Sequence, residues 1–111
     1  MGKLKEKTSI IVGSATGIGA TTARLMAAEG SRVVLADVNF EGAQQVASEI
    51  MQTGGEALPV RADIANEADV SQMVTQALDA FGGINVLVNN AAALARMLHE
   101  LPRLRELGAV R

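Results

Sequence analysis

The chain has 111 residues, 49% of them hydrophobic, with a formal net charge of −2 at pH 7. That size and composition suit one globular domain with a buried core, and no excess of positive charge points to nucleic acid. With no cysteine in the chain, disulfides, thiolate metal sites and a cysteine nucleophile are excluded.

The only aromatic residues are Phe40 and Phe81, so the core is expected from Val, Ile, Leu, Met and Ala. The three lysines, Lys3, Lys5 and Lys7, crowd the first seven residues and read as a solvated flank. The N-terminus lacks the apolar stretch of a signal peptide. No apolar run approaches the roughly 18 residues of a membrane span. The expectation is a soluble cytoplasmic protein.

Thr8 to Val12 is nearly all apolar and β-branched, the pattern of a strand covered on both faces of a parallel sheet. Ala20 to Glu29 is helical, with Ala23, Met26 and Ala27 on one face, and Gly30 stops it. Arg32 to Asp37 is a second buried-type strand. Asn39 is the N-cap of a helix running to about Gln52, in which Ala43, Val46, Ala47, Ile50 and Met51 keep a helical period. Ala57 to Ala62 is a third strand, which Pro59 assigns to a sheet edge. Asn66 caps a helix to Phe81 that buries Val70, Met73, Val74, Ala77, Leu78 and Phe81. Ile84 to Asn89 is a fourth strand. The alternation predicts an α/β fold with a parallel sheet and helices on both faces. The tail, 91–111, is rich in Ala, Leu and Arg, with a possible helical stripe at Leu94, Met97, Leu98 and Leu101 that Pro102 interrupts.

The chemistry gathers after the first strand, at Gly13-Ser14-Ala15-Thr16-Gly17-Ile18-Gly19. A strand, a glycine-rich turn and a helix in that order make a phosphate cradle. The glycines admit an anion close to the backbone, and the helix N-terminus offers free N–H groups and a partial positive charge. Asp37 ends the next strand, 18 positions past Gly19, near the roughly 20 expected of a ribose-binding carboxylate. It would repel a 2′-phosphate, so NAD is favoured over NADP. Its blander reading is a strand-end turn residue.

Asp63 follows the third strand at the same sheet edge and can meet an adenine amino group, with the Ile64 N–H on a ring nitrogen, or serve as a turn or cap residue. Asn89 and Asn90 end the fourth strand there, lining the cleft, tying loops together, or both. His99, the only histidine, has no partner acid at metal or triad spacing, and no metal site is expected.

As a set, Gly13-x-x-x-Gly17-Ile18-Gly19, Asp37, Asp63-Ile64 and Asn89-Asn90-Ala91 resemble the short-chain dehydrogenase/reductase family. The resemblance covers roughly residues 5 to 92. It implies a Rossmann-like, doubly wound parallel sheet of order 3-2-1-4, with residues 1–90 the N-terminal part of a dinucleotide-binding domain. It also implies a cofactor-binding set of Gly13, Ser14, Thr16, Gly17, Ile18, Gly19, Asp37, Asp63, Ile64, Asn89 and Ala91, with NAD as the cofactor. Two positions depart from the family pattern: Val12 stands where Thr is usual and Ala92 where Gly is usual.

The larger departure is in the catalytic residues. The family uses a Tyr as acid/base, a Lys four residues later, a Ser and a further Asn, all beyond the Asn-Asn-Ala motif. After Asn90 this chain has no Asn, Ser, Tyr or Lys, and it has no Tyr anywhere. The resemblance therefore implies the NAD-binding part of an oxidoreductase, truncated and inactive by itself. The alternative is a non-catalytic dinucleotide-binding or interaction module. The strand at 84–89 is then expected at an exposed sheet edge, where it can support self-association.

Overall fold

The computed structural model describes residues 2–15 and 17–89; the tail reading, Thr16, Asn90 and Ala91 lie outside them. Seven elements alternate: β1 (Thr8–Val12), α1 (Gly17–Ala28), β2 (Arg32–Asp37), α2 (Phe40–Gln52), β3 (Ala57–Arg61), α3 (Glu67–Phe81) and β4 (Val86–Asn89). The strands form one sheet in the order β3-β2-β1-β4, every pairing parallel. The register sets Ile10 beside Val34 and Leu87, and Ile11 beside Leu35 and Val88. Pro59 sits on an edge strand, as its missing N–H requires.

Side chains alternate across a strand, so each central strand serves two cores. Ile10, Val12, Val34, Ala36 and Val60 pack against Val70, Met73, Val74 and Ala77 of α3. Ile11, Val33 and Leu35 pack against Ala20 and Ala23 of α1 and Ala43, Val46, Ala47 and Ile50 of α2. This two-sided cover explains the near-unbroken apolar runs of β1 and β2.

Helix ends follow their side chains. Asn39 Oδ1 accepts from Gly42 N–H at 3.0 Å, and Asn66 Oδ1 accepts from Asp69 N–H at 3.1 Å. Gly82, at φ 80°, closes α3 with its N–H on the Leu78 carbonyl. Asn66→Ala removes a capping acceptor and is expected to cost about 1 kcal/mol of stability. A chemical-denaturation midpoint equal to wild type would contradict the cap.

Besides one-residue shifts at the ends of α1 (Ala28 against Glu29) and β3 (Arg61 against Ala62), three details differ from the sequence reading. α1 begins at Gly17, inside the glycine turn, three residues before Ala20. Met51 is 50% exposed, because it lies one helical step beyond Ile50 and rotates off the core face. β4 starts at Val86, because Asn85 pairs with Thr8 through its side chain. Thr8 N–H donates to Asn85 Oδ1 at 2.9 Å while Asn85 N–H donates to the Thr8 carbonyl at 2.8 Å. Ile84, just before it, is buried in the core on the α3 side.

Candidate functional site

Parallel pairing brings the carboxyl ends of all four strands to one edge, where ligands bind in doubly wound sheets. Val12 lies beside Ala36 and Asn89, and Asp37 beside Arg61. The turn leaving β1, Asp37 and Asp63 therefore share that edge. Asn89 belongs to it by its backbone.

The turn is tied to the end of β2 by three hydrogen bonds. Gly13 N–H donates to the Ala36 carbonyl at 2.9 Å. The Ser14 hydroxyl, fully buried, donates to the same carbonyl over a long 3.4 Å. Ala15 N–H donates to Asp37 Oδ2 at 3.0 Å. These ties anchor the turn although Val12 brings no hydroxyl. The Ser14 side chain thus points into the protein, and any contact it makes with a ligand is through its backbone.

The two glycines of α1's first turn have different duties. Among the described residues a Cβ on Gly17 would meet nothing within 4 Å, and its φ is +61°. A Cβ on Gly19 would lie 1.9 Å from the Gly13 carbonyl oxygen. Gly19 therefore lets the helix close against its own turn, whereas Gly17 faces open space in a conformation that favours glycine. α1 has no acid in its first turn, in contrast to Glu41 of α2 and to Glu67 and Asp69 of α3. The first turn of α1 therefore sets no carboxylate of its own against an anion at that end.

The acids turn back on their own chain. Asp37 Oδ1 accepts from Asn39 N–H at 2.9 Å, and Asp63 Oδ1 accepts from Ala65 N–H at 2.9 Å. The same side-chain turn thus recurs after β2 and after β3. Asp63 N–H in turn donates to Asp69 Oδ2 at 2.9 Å. A carboxylate offers about four lone-pair sites, so Asp37, with two bonds made, keeps capacity for ribose hydroxyls. Ile64 is buried at 8% exposure, while Ile18 is 80% exposed beside Gly17.

Two residues at this edge were not singled out from the sequence. Ala15 supplies the N–H that Asp37 holds, and Val38, 58% exposed, follows Asp37. An apolar residue directly after the strand-end acid was the available signal for Val38; Ala15 gave none. Among the described residues no group of three or more His, Cys, Asp or Glu can hold a metal ion, and no helix is long and apolar enough to cross a membrane. A hollow of about 580 Å³ lies between the last turns of α1 and α2, lined by Arg24, Ala27, Glu49, Ile50 and Thr53. It shares no residue with the glycine turn. It lies at the C-terminal ends of its two helices, whereas a helix N-terminus with its free first-turn N–H groups points to the turn.

The chain resembles known proteins throughout this region. Residues 7–106 match the family model described as short chain dehydrogenase. An uncharacterized oxidoreductase, YxbG of Bacillus subtilis, is 38% identical over 92% of this chain and 38% of its own length. A 2,5-dichloro-2,5-cyclohexadiene-1,4-diol dehydrogenase of Sphingobium indicum is 44% identical over 83% of this chain and 36% of its own. The crystal structure of a hydroxysteroid dehydrogenase from Escherichia coli superposes with a TM-score of 0.77 at 40% identity, over 79% of this chain and 37% of that one. The chain thus spans little more than a third of the length of these relatives. With its 3-2-1-4 parallel sheet and its glycine turn at the carboxyl edge, it belongs to the short-chain dehydrogenase family.

Proposed function

We propose that these residues form the adenosine- and pyrophosphate-binding part of an NAD-dependent oxidoreductase. In the whole protein, the reaction would be hydride transfer between a nicotinamide and an alcohol or carbonyl substrate. The observation that carries this reading is the open face of Gly17 at a helix terminus with no acid of its own, with the Asp37 carboxylate alongside. The residues fit the cofactor. First-turn N–H groups of α1 suit the pyrophosphate, and the remaining lone pairs of Asp37 suit the ribose. Asp63 and the exposed Ile18 and Val38 flank the adenine side. Thr16, Asn89 and Ala91 complete the proposed set.

The cofactor, when bound, supplies the hydride; this chain's residues bind and orient it. No Tyr is present to deliver a proton beside the nicotinamide, so these 111 residues alone are expected to bind NAD without turnover. Isothermal titration of the folded chain tests this, and an absence of heat with NAD would count against it. A non-catalytic binding module is favoured instead if NAD binds and the whole protein shows no dehydrogenase activity with any alcohol tried.

Asp37→Ala is expected to shrink the preference for NAD over NADP about tenfold or more, because a charge-assisted contact to the ribose and a repulsion of the 2′-phosphate are lost together. An unchanged ratio of the two affinities would argue against the ribose role. β4 is an edge strand of the described sheet, which supports self-association through it; light scattering showing only monomer over a wide concentration range would dismiss that part.

A further inference from the structure

The Asp37 carboxylate holds two backbone donors of its own chain. Its Oδ1 takes the Asn39 N–H at 2.9 Å, closing its own turn, and its Oδ2 takes the Ala15 N–H at 3.0 Å, 22 residues away. Ala15 is the midpoint of the span from Gly13 to Gly17. It is braced from the other side by α2, where a Cβ on Gly42 would come within 2.8 Å of the Ala15 Cβ. The turn hangs from two consecutive residues of β2: Ala36 by its carbonyl and Asp37 by its side chain. Of these ties only the Asp37 bond involves a charged acceptor, and such bonds are the stronger kind.

We propose that Asp37 is a positioning residue for the phosphate turn as well as the ribose acceptor, an inference that rests on the site reading above. Its Oδ2 sets the backbone at Ala15, and through it the direction in which the first N–H groups of α1 face the pyrophosphate. The Ala15 N–H is thereby committed to Asp37, so the phosphate donors are those of α1's first turn, from Gly17 onward. One carboxylate then couples two recognitions, because the group that reads the ribose also holds the phosphate cradle in shape.

The two roles predict opposite signs for an anion that has no ribose. By charge alone, removing a carboxylate beside an anion site strengthens anion binding. By positioning, removing it lets the turn relax and weakens the same binding.

The test uses the full chain, with inorganic pyrophosphate as the probe and backbone amide shifts of Gly17 to Ala20 as the readout. Asp37→Ala is expected to weaken pyrophosphate binding several-fold, and Asp37→Asn, which keeps one acceptor oxygen, to fall between the two. Binding that is unchanged or tighter in Asp37→Ala overturns the proposal. A second readout needs neither ligand nor variant. In the wild-type chain the Ala15 amide is expected to exchange with solvent at least about tenfold more slowly than an unbonded loop amide. It should also show a scalar coupling to the Asp37 carboxyl carbon. Fast exchange with no coupling overturns the proposal even if the variants fail to fold. Failure of NAD and pyrophosphate alike to bind the wild type, with the Ala15 amide still protected, would sink the cofactor reading while leaving Asp37's hold on the turn in place.

Discussion

Gly19→Ala is expected to lower folding stability by about 3 kcal/mol or more, at the upper end of what overpacking costs. The added methyl carbon would lie 1.9 Å from the Gly13 carbonyl oxygen, 2.8 Å from its carbon and 3.1 Å from the Ser14 Cα. All three are backbone atoms, so no rotamer change relieves the clash. The turn would have to separate from the helix, breaking its ties to β2. Gly17→Leu should behave in the opposite way. Its side chain meets none of the described residues, so their fold bears only the left-handed strain of about 1–2 kcal/mol, while the phosphates lose their approach and NAD affinity falls at least tenfold. Urea melts and NAD titrations of the two variants separate the roles. A Gly19→Ala chain that melts like wild type would show that the helix and turn are not in this contact.

Leu35→Ala is the second large effect, at about 3–5 kcal/mol. Leu35 has no exposed surface, and it lies in β2 opposite α1 and α2, in the core shared with Ile11, Ala23, Ala43 and Val46. The alanines of both helices, Ala20, Ala23, Ala43 and Ala47, share that core, so the helices lie close against the strand. Met73→Ala, in the α3 core on the other face of the sheet, is expected to cost about 2–5 kcal/mol. The two cores share no member, so the double variant should lose nearly the sum. A double variant much more stable than that sum would show that the two faces relax together through the sheet. The measurement is the unfolding free energy from urea titration of each chain.

The elements were legible wherever local pattern decides them. β1 and β2 match the sequence reading to the residue, because a continuous apolar run bounded by polar or glycine residues leaves no choice of ends. Asn39 and Asn66 announced helix starts through the hydrogen bonds that their side chains make. Misreadings came where one group does another's task. Asn85 extends the β1–β4 pairing with a side-chain oxygen, a bond that no periodicity scan registers. α1 starts earlier than its apolar period suggests, because Gly17, at φ +61°, turns the chain into the helix and Gly19 already sits in its first turn. At the candidate site the residue types and their order were readable, but their hydrogen bonds were not. The inward turn of the Ser14 hydroxyl and the grip of Asp37 on Ala15 depend on the register of β1 against β2, which only the folded sheet supplies.

The strand order has a consequence for how the chain folds. The tie of Ala15 to Asp37 spans 22 residues, whereas the tie of Thr8 to Asn85 spans 77. On loop-closure entropy alone the longer link costs about 1 kcal/mol more, and β4 has little else local to hasten it. β1, β2 and β3 with their two helices should therefore assemble as a nucleus, and β4 should dock afterwards. Until then one side of the central strand stands unpaired, the window in which a growing chain is most exposed to the wrong neighbour. Stopped-flow kinetics can see this order: Val88→Ala should chiefly speed unfolding, whereas Val34→Ala should chiefly slow refolding.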